Sequence, residues 1–159
     1  MKPQTMVRMR ASSFALLVEQ AQRAYPYECC GFIIGAGASE SVRPVRNIQN
    51  ERHRENPQAF PRDARTAYLM DPAEYRAVLE DAQRQGLPLS VIYHSHPEHD
   101  AYFSATDRAA ACLFDPAEPD YPDVAQLVLS VKNGRFADVA AFVWDAERKD
   151  FVRTELILS

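Results

Sequence analysis

Residues 124–131 and 136–144 are two apolar runs of strand length, and the dipeptide Asn133-Gly134 lies between them. That pairing is the strongest short-range hairpin signal a sequence carries, because both residues accept the left-handed backbone of a two-residue turn. The C-terminal third must therefore hold an antiparallel pair, and residues 151–158 offer a third strand beside it.

Upstream, helical and strand patterns alternate. Phe14, Leu17, Val18, Ala21 and Tyr25 recur at three- and four-residue steps, with Ser12 or Ser13 at the expected N-cap and Pro26 at the end. A second helix opens on Asp71 as N-cap, Pro72 in the first turn and Glu74 placed to reach back. It shows one apolar face through Tyr75, Val78, Leu79 and Ala82 and stops at Gly86. A shorter helix is expected at 105–113 and a proline-containing loop at 115–122. Strands are expected at 6–10, 30–34, 41–48, 66–70 and 87–93. Residues 47–65 are polar and aperiodic, contain Pro57 and Pro61, and read as a long loop.

This order of elements predicts a mixed α/β sheet in a single domain over residues 1–159. With 47% apolar and 25% charged residues, the chain falls among ordinary globular proteins. Its net charge of -4 supplies no basic field for nucleic acid or anionic lipid, so neither is expected as a partner. The three cysteines, Cys29, Cys30 and Cys112, form no disulfide or four-thiolate pattern and fit a reducing cytoplasm. The apolar run at 14–18 ends at Glu19, too short for a signal core or a membrane span. Oligomeric state is not legible.

The segment Tyr93-His94-Ser95-His96-Pro97 follows the 87–93 strand directly. Side chains alternate along a strand, so His94 and His96 project from one face and can share an ion. Two imidazoles suit zinc, which prefers four tetrahedral ligands, and Asp107 at the start of the next helix is the best third ligand. Three protein ligands leave the fourth position to water, the pattern of a catalytic site. Such a site needs a proton carrier off the metal. Glu28, between a helix and a buried strand, is placed where desolvation raises a carboxyl pKa usefully. Ser104 can donate to the oxyanion that develops on an attacked carbonyl.

These residues resemble the JAMM (MPN-plus, Mov34-type) metalloproteases, whose pattern is an upstream glutamate, His-x-His, seven residues, Ser, two residues, Asp. Here it reads Glu28, His94-Ser95-His96, residues 97–103, Ser104 and Asp107, and the segment Glu28-Cys29-Cys30-Gly31-Phe32-Ile33-Ile34-Gly35 is also similar to the family's. The resemblance implies an α/β fold of JAMM/MPN, cytidine-deaminase-like architecture: a mixed, largely antiparallel sheet flanked by helices. It implies one catalytic zinc ion on His94, His96 and Asp107, with Glu28 as general base and acid and Ser104 as oxyanion donor. The activity implied is hydrolysis of a peptide or isopeptide bond, after the C-terminal glycine of a ubiquitin-like or sulfur-carrier protein. The chain looks like the short prokaryotic stand-alone form. It departs from the pattern at Phe103, where many members have proline.

Other readings stand beside this one. Ser104-x-x-Asp107 is also an ordinary capping box. His99 reads as a solvated loop residue, His53 as exposed, and the cysteines as packing groups. The arginines Arg46, Arg52, Arg54, Arg62 and Arg65 either form a solvated face or grip an acidic carrier. The pattern His-x-Glu with Pro-Cys-x-x-Cys is absent, which disfavours a nucleobase deaminase. No His-Glu-x-x-His helix is present, which disfavours a zincin. A non-catalytic scaffold of the same fold, and a peptidase of phage-tail or cell-wall type, remain as alternatives.

Overall fold

A computed structural model describes residues 6–159. In chain order the elements are β1 Met6–Met9, α1 Ala11–Ala24, β2 Cys30–Ile34, β3 Ser41–Val45, α2 Gln49–Glu55 and α3 Pro72–Gln85. They continue with β4 Leu89–Pro97, α4 Ala105–Ala111, β5 Ala125–Lys132, β6 Arg135–Asp145 and β7 Asp150–Leu158. The strands form one sheet in the order β1-β7-β6-β5-β4-β2-β3. The β4–β5 and β1–β7 pairs are parallel, and the other neighbours are antiparallel. This is the mixed, largely antiparallel sheet expected. Asn133 and Gly134 both take positive φ, 54° and 78°, and the turn joins β5 to β6 as predicted.

Three buried clusters lie on the two faces of the sheet, one beneath α1 and two on the opposite face, and period two decides which residue joins which face. Val91 and Tyr93 on β4, with Leu127, Leu129 and Val131 on β5, pack against Leu17 and Ala21 of α1. Their alternates face the other way. Ile92 joins Phe32, Ile34, Val78 and Ala82 in the cluster beneath α3, while Val128 packs with Phe142, Phe151 and Cys112 near α4. The His94 and His96 side chains belong to this second face.

Several local expectations change in three dimensions. Neither Ser12 nor Ser13 caps α1. The N-cap is Arg10, which contributes no side-chain bond, and the Ala11 N–H instead donates to the Ser159 carbonyl at 2.8 Å. Ser13 is buried and donates to the Glu40 carboxylate. Asp71 does cap α3, accepting from Ala73 N at 2.9 Å, and Gly86 ends that helix in the left-handed region. The Glu74 carboxylate accepts from the Arg46 N–H at 3.3 Å rather than reaching back.

The expected loop at 47–65 holds helix α2, whose sequence Gln49-Asn50-Glu51-Arg52-His53-Arg54-Glu55 has no apolar face for a period-based reading to detect. Side-chain amides hold it instead. Asn47 Oδ1 accepts from Gln49 N and Leu69 N, both at 3.0 Å, and Asn50 Oδ1 accepts from Ala64 N at 2.8 Å. The strand expected at 66–70 does not form. Asn47 takes the Leu69 N–H, Ile48 N takes the Leu69 carbonyl, and one bridge, Asn47 to Met70, is all that remains. Among the described residues no helix is long and apolar enough to cross a membrane.

Gly31 is the tightest position near the histidines. A Cβ there would lie 2.4 Å from the Tyr93 hydroxyl and 2.7 Å from the Arg43 carbonyl oxygen. The space is taken because Tyr93 crosses its partner Gly31 to donate a hydrogen bond to Gln20 on α1. Gly31→Ala is expected to destabilise the fold by about 1–3 kcal/mol through this overpacking, read as a lowered urea midpoint at unchanged slope.

Candidate metal centre

Strand β4 ends between two neighbours, antiparallel β2 and parallel β5, which set Cys30 opposite His94 and Ser130 opposite His96. From the same face, α4 presents Asp107 in its first turn. The three side chains are almost fully buried and converge. His94 Nε2 lies 3.1 Å from Asp107 Oδ1, His96 Nε2 lies 3.1 Å from Asp107 Oδ2, and the two Nε2 atoms are 3.1 Å apart.

The His96 ring is oriented by the Asp100 carbonyl, 2.9 Å from Nδ1. That contact makes Nδ1 a donor to the carbonyl and turns Nε2 toward Asp107. The loop carrying Asp100 is tied to β5. Glu98, in the left-handed region at φ 64°, donates its N–H to Val131, and Ser130 Oγ donates to the His99 carbonyl. His94 is held differently. Its Nδ1 is buried without a partner, and the ring is fixed by Tyr68, stacked at 4.7 Å and 27°, and by the edge of Phe103 at 6.5 Å.

Phe103 also packs on Phe142 at 5.5 Å and Phe151 at 4.6 Å. Apolar contacts thus anchor the end of the loop where a proline would restrict φ. Ser104 is the N-cap of α4: its Oγ accepts from Asp107 N at 3.0 Å, and its own N–H donates to Asp107 Oδ2 at 2.9 Å. The capping reading of Ser104-x-x-Asp107 is therefore realised, and it orients the Asp107 carboxylate. The cap uses a lone pair of Ser104 Oγ and leaves the hydroxyl proton uncommitted.

Glu28 precedes β2. Its N–H donates to Ala64 at 2.7 Å, its carbonyl accepts from Asn47 Nδ2 at 2.9 Å, and its Oε1 is buried with no partner. Burial, then the nearby Asp107 charge, push its carboxyl up to about 9, with Arg62 opposing. A cation beside Asp107 would cancel the second cause and make Glu28 a readier base. Burial works against ionised Asp107, but the charge of His94 and hydrogen bonds from both histidines and Ser104 outweigh it and hold the carboxyl well below its usual range. The pocket as a whole favours positive charge at its centre.

The donor set fits zinc. Tetrahedral ligands at about 2.0–2.1 Å from one ion stand about 3.3 Å apart, close to the separations found here. A second hydrogen bond on the far ring nitrogen, as His96 has, is the usual companion of a histidine that ligates zinc.

The remaining candidates separate. His99 is exposed as expected. His53 is half-buried, with Nδ1 at 2.7 Å from the Phe60 carbonyl, because α2 turns it inward. Cys29, Cys30 and Cys112 are buried and free, and burial pushes the Cys29 thiol up to about 11, away from nucleophilic use. Arg46 pairs with Asp71, Arg52 with Glu55 and Arg65 with Asp63. Among the described residues Arg54 and Arg62 have no acidic partner within ion-pair distance. Sequence reasoning missed Tyr68, the Asp100 carbonyl and Ser95, whose Oγ accepts the Cys29 N–H at 2.8 Å beside Glu28. Only Ser95, alternate to both histidines on a buried strand, left a signal.

Compared with known proteins, residues 10–135 match a family described as prokaryotic homologs of the JAB domain. A desampylase of Haloferax volcanii is 36% identical over 89 residues, covering 54% of this chain and 55% of that protein. A CysO-cysteine peptidase of Mycobacterium tuberculosis is 36% identical over 115 residues, covering 70% of this chain and 66% of that protein. The matches thus span between about half and two thirds of these relatives. A solved structure from Desulfitobacterium hafniense superposes with a TM-score of 0.69 at 22% identity, over 97% of this chain and 93% of that one, and carries the likeness of fold.

Zinc at about 100 times its dissociation constant is expected to raise stability by about 2.7 kcal/mol, read as a higher melting temperature. His96→Ala should abolish that shift. A wild-type melting curve indifferent to zinc would contradict the fit.

Proposed function

This chain belongs to the family of prokaryotic homologs of the JAB domain, and on that premise we propose that it is a zinc-dependent peptidase or isopeptidase. Its substrate is a ubiquitin-like or sulfur-carrier protein, cut after the carrier's C-terminal glycine. One observation supports this most: three buried ligand atoms meet about a cation-sized centre, beside a buried glutamate with an unpaired oxygen. The relatives' names, desampylase and CysO-cysteine peptidase, point to the substrate class.

In this reading His94, His96 and Asp107 hold the ion. A zinc ion so held supplies Lewis acidity, polarising a carbonyl and lowering the pKa of a water toward about 7. Glu28 Oε1, buried and unpaired, takes a proton from the attacking water and delivers it to the leaving amine as the carbon–nitrogen bond breaks. The Ser104 hydroxyl proton, unused in the cap, donates to the oxygen of the attacked carbonyl. Burial of Glu28, His94, His96 and Asp107 keeps these interactions strong by excluding bulk water.

The test is incubation with a Gly-Gly-terminated carrier extended by one residue, with and without chelator, and mass analysis of the products. Cleavage is expected only without chelator. Glu28→Gln should keep its zinc and lose about 10²–10⁴ in kcat. His94→Ala should lose both zinc and turnover, and full activity in either variant would refute the assigned role. Ser104→Ala is expected to lower stability by about 1 kcal/mol through the lost cap, and separately to lower kcat by about 10²-fold.

A further inference from the structure

The two imidazoles of the candidate centre are held in different ways, and the difference assigns a role to a residue outside the ligand set. His96 has a hydrogen bond on its far ring nitrogen, from Nδ1 to the Asp100 carbonyl at 2.9 Å. His94 has none, because its Nδ1 is fully buried without a partner. A histidine that ligates through Nε2 carries its proton on Nδ1, and the hydrogen bond made there is what ordinarily fixes the ring. Something else must hold His94.

Three rings touch it among the described residues. His96 at 5.0 Å and Phe103 at 6.5 Å meet it at steep angles of 57° and 60°, whereas Tyr68 lies nearly parallel to it, at 4.7 Å and 27°. The χ2 torsion of histidine is soft. A flat face in contact blocks the rotation that would swing Nε2 away from Asp107.

Tyr68 can act as that face because its own backbone is pinned on both sides. The Asn47 side chain bonds both of its chain neighbours: Nδ2 donates to the Ala67 carbonyl at 3.3 Å, and Oδ1 accepts the Leu69 N–H at 3.0 Å. The Ile48 N–H adds a bond to the Leu69 carbonyl at 2.8 Å. Asn47 Nδ2 also donates to the Glu28 carbonyl at 2.9 Å. One amide thus ties the segment carrying Tyr68 to the backbone of the residue proposed above as proton carrier.

We propose that Tyr68 is a positioning residue for the cation: its ring, pinned through Asn47, holds His94 in the ligating orientation in place of the hydrogen bond that Nδ1 lacks. Metal affinity then depends on an aromatic face at position 68 and not on the phenol hydroxyl, and Asn47 acts on affinity through Tyr68. This rests on the metal-centre reading above and is independent of which bond the protein cuts.

The test is the zinc affinity of the full chain, measured by competition with a chromophoric chelator. Beside it stand the visible spectrum of the cobalt-loaded protein and the melting temperature of the metal-free protein. Tyr68→Phe keeps the face and should bind zinc within about twofold of the wild type, with the same cobalt bands. Tyr68→Leu should bind about 10–100 times more weakly, with shifted bands. Where Tyr68→Leu does not fold, Tyr68→Met carries the same expectation. Asn47→Ala should weaken zinc binding about threefold or more by itself, and add little in the Tyr68→Leu background, because its effect passes through the ring. A merely structural Tyr68 would lower the metal-free melting temperature in Tyr68→Leu and leave affinity and cobalt bands at their wild-type values, and that result would overturn the proposal. So would a Tyr68→Phe as weak as Tyr68→Leu, or fully additive losses in the double variant. A wild type that binds no zinc would refute the metal centre itself, an outcome distinct from zinc binding that is indifferent to position 68.

Discussion

Everything at the candidate metal centre depends on the register of β4. Its residues alternate between two buried faces, Val91, Tyr93 and Ser95 toward α1, and Ile92, His94 and His96 toward α3 and α4. A slip of one residue would send both imidazoles into the α1 core and bring Tyr93 out beside Asp107. Ser95 guards against that. Its backbone N–H donates to the Cys29 carbonyl at 3.1 Å while its Oγ accepts the Cys29 N–H at 2.8 Å, and the same lock places the adjacent Glu28 at the site.

Burying two imidazoles and two carboxyl groups together is unfavourable unless their polar atoms are paired. The fold pairs some and leaves others. His96 and Asp107 are satisfied by the Asp100 carbonyl and the Ser104 N–H. Among the described residues four buried side-chain atoms lack a partner: Glu28 Oε1, His94 Nδ1, Gln126 Oε1 and Glu51 Oε2. His94 and Gln126 belong to the same sheet face, and Glu28 adjoins it. Glu28 Oε1 and His94 Nδ1 are thus the unpaired polar atoms at the candidate site itself.

Packing supplies the rigidity that hydrogen bonds do not. His94 rests against Tyr68 and Phe103, and Phe103 is in turn wedged on Phe142 and Phe151 from β6 and β7. The C-terminal hairpin therefore does more than complete the sheet. It forms the floor on which the start of α4 is set, so the angle of Asp107 depends on residues some 40 positions away in the chain.

The sequence by itself determined whatever is encoded within a few neighbouring residues. The Asn133-Gly134 turn, the Asp71 cap, the Gly86 stop and the alternation through His94 and His96 each follow from local backbone and side-chain preferences, and all appear in the fold. The spacing of Glu28, the histidines, Ser104 and Asp107 was legible for the same reason, and so was the family. Tertiary structure alone decided the rest. Helix α2 is polar on every side and exists because Asn47, Gln49 and Asn50 find distant backbone partners. The start of α1 is completed by the backbone oxygen of Ser159, just past β7, and Tyr68 reaches His94 from a stretch that looked like strand. Such contacts join residues with no common periodicity, and their free energy appears only once the sheet has brought the two ends together.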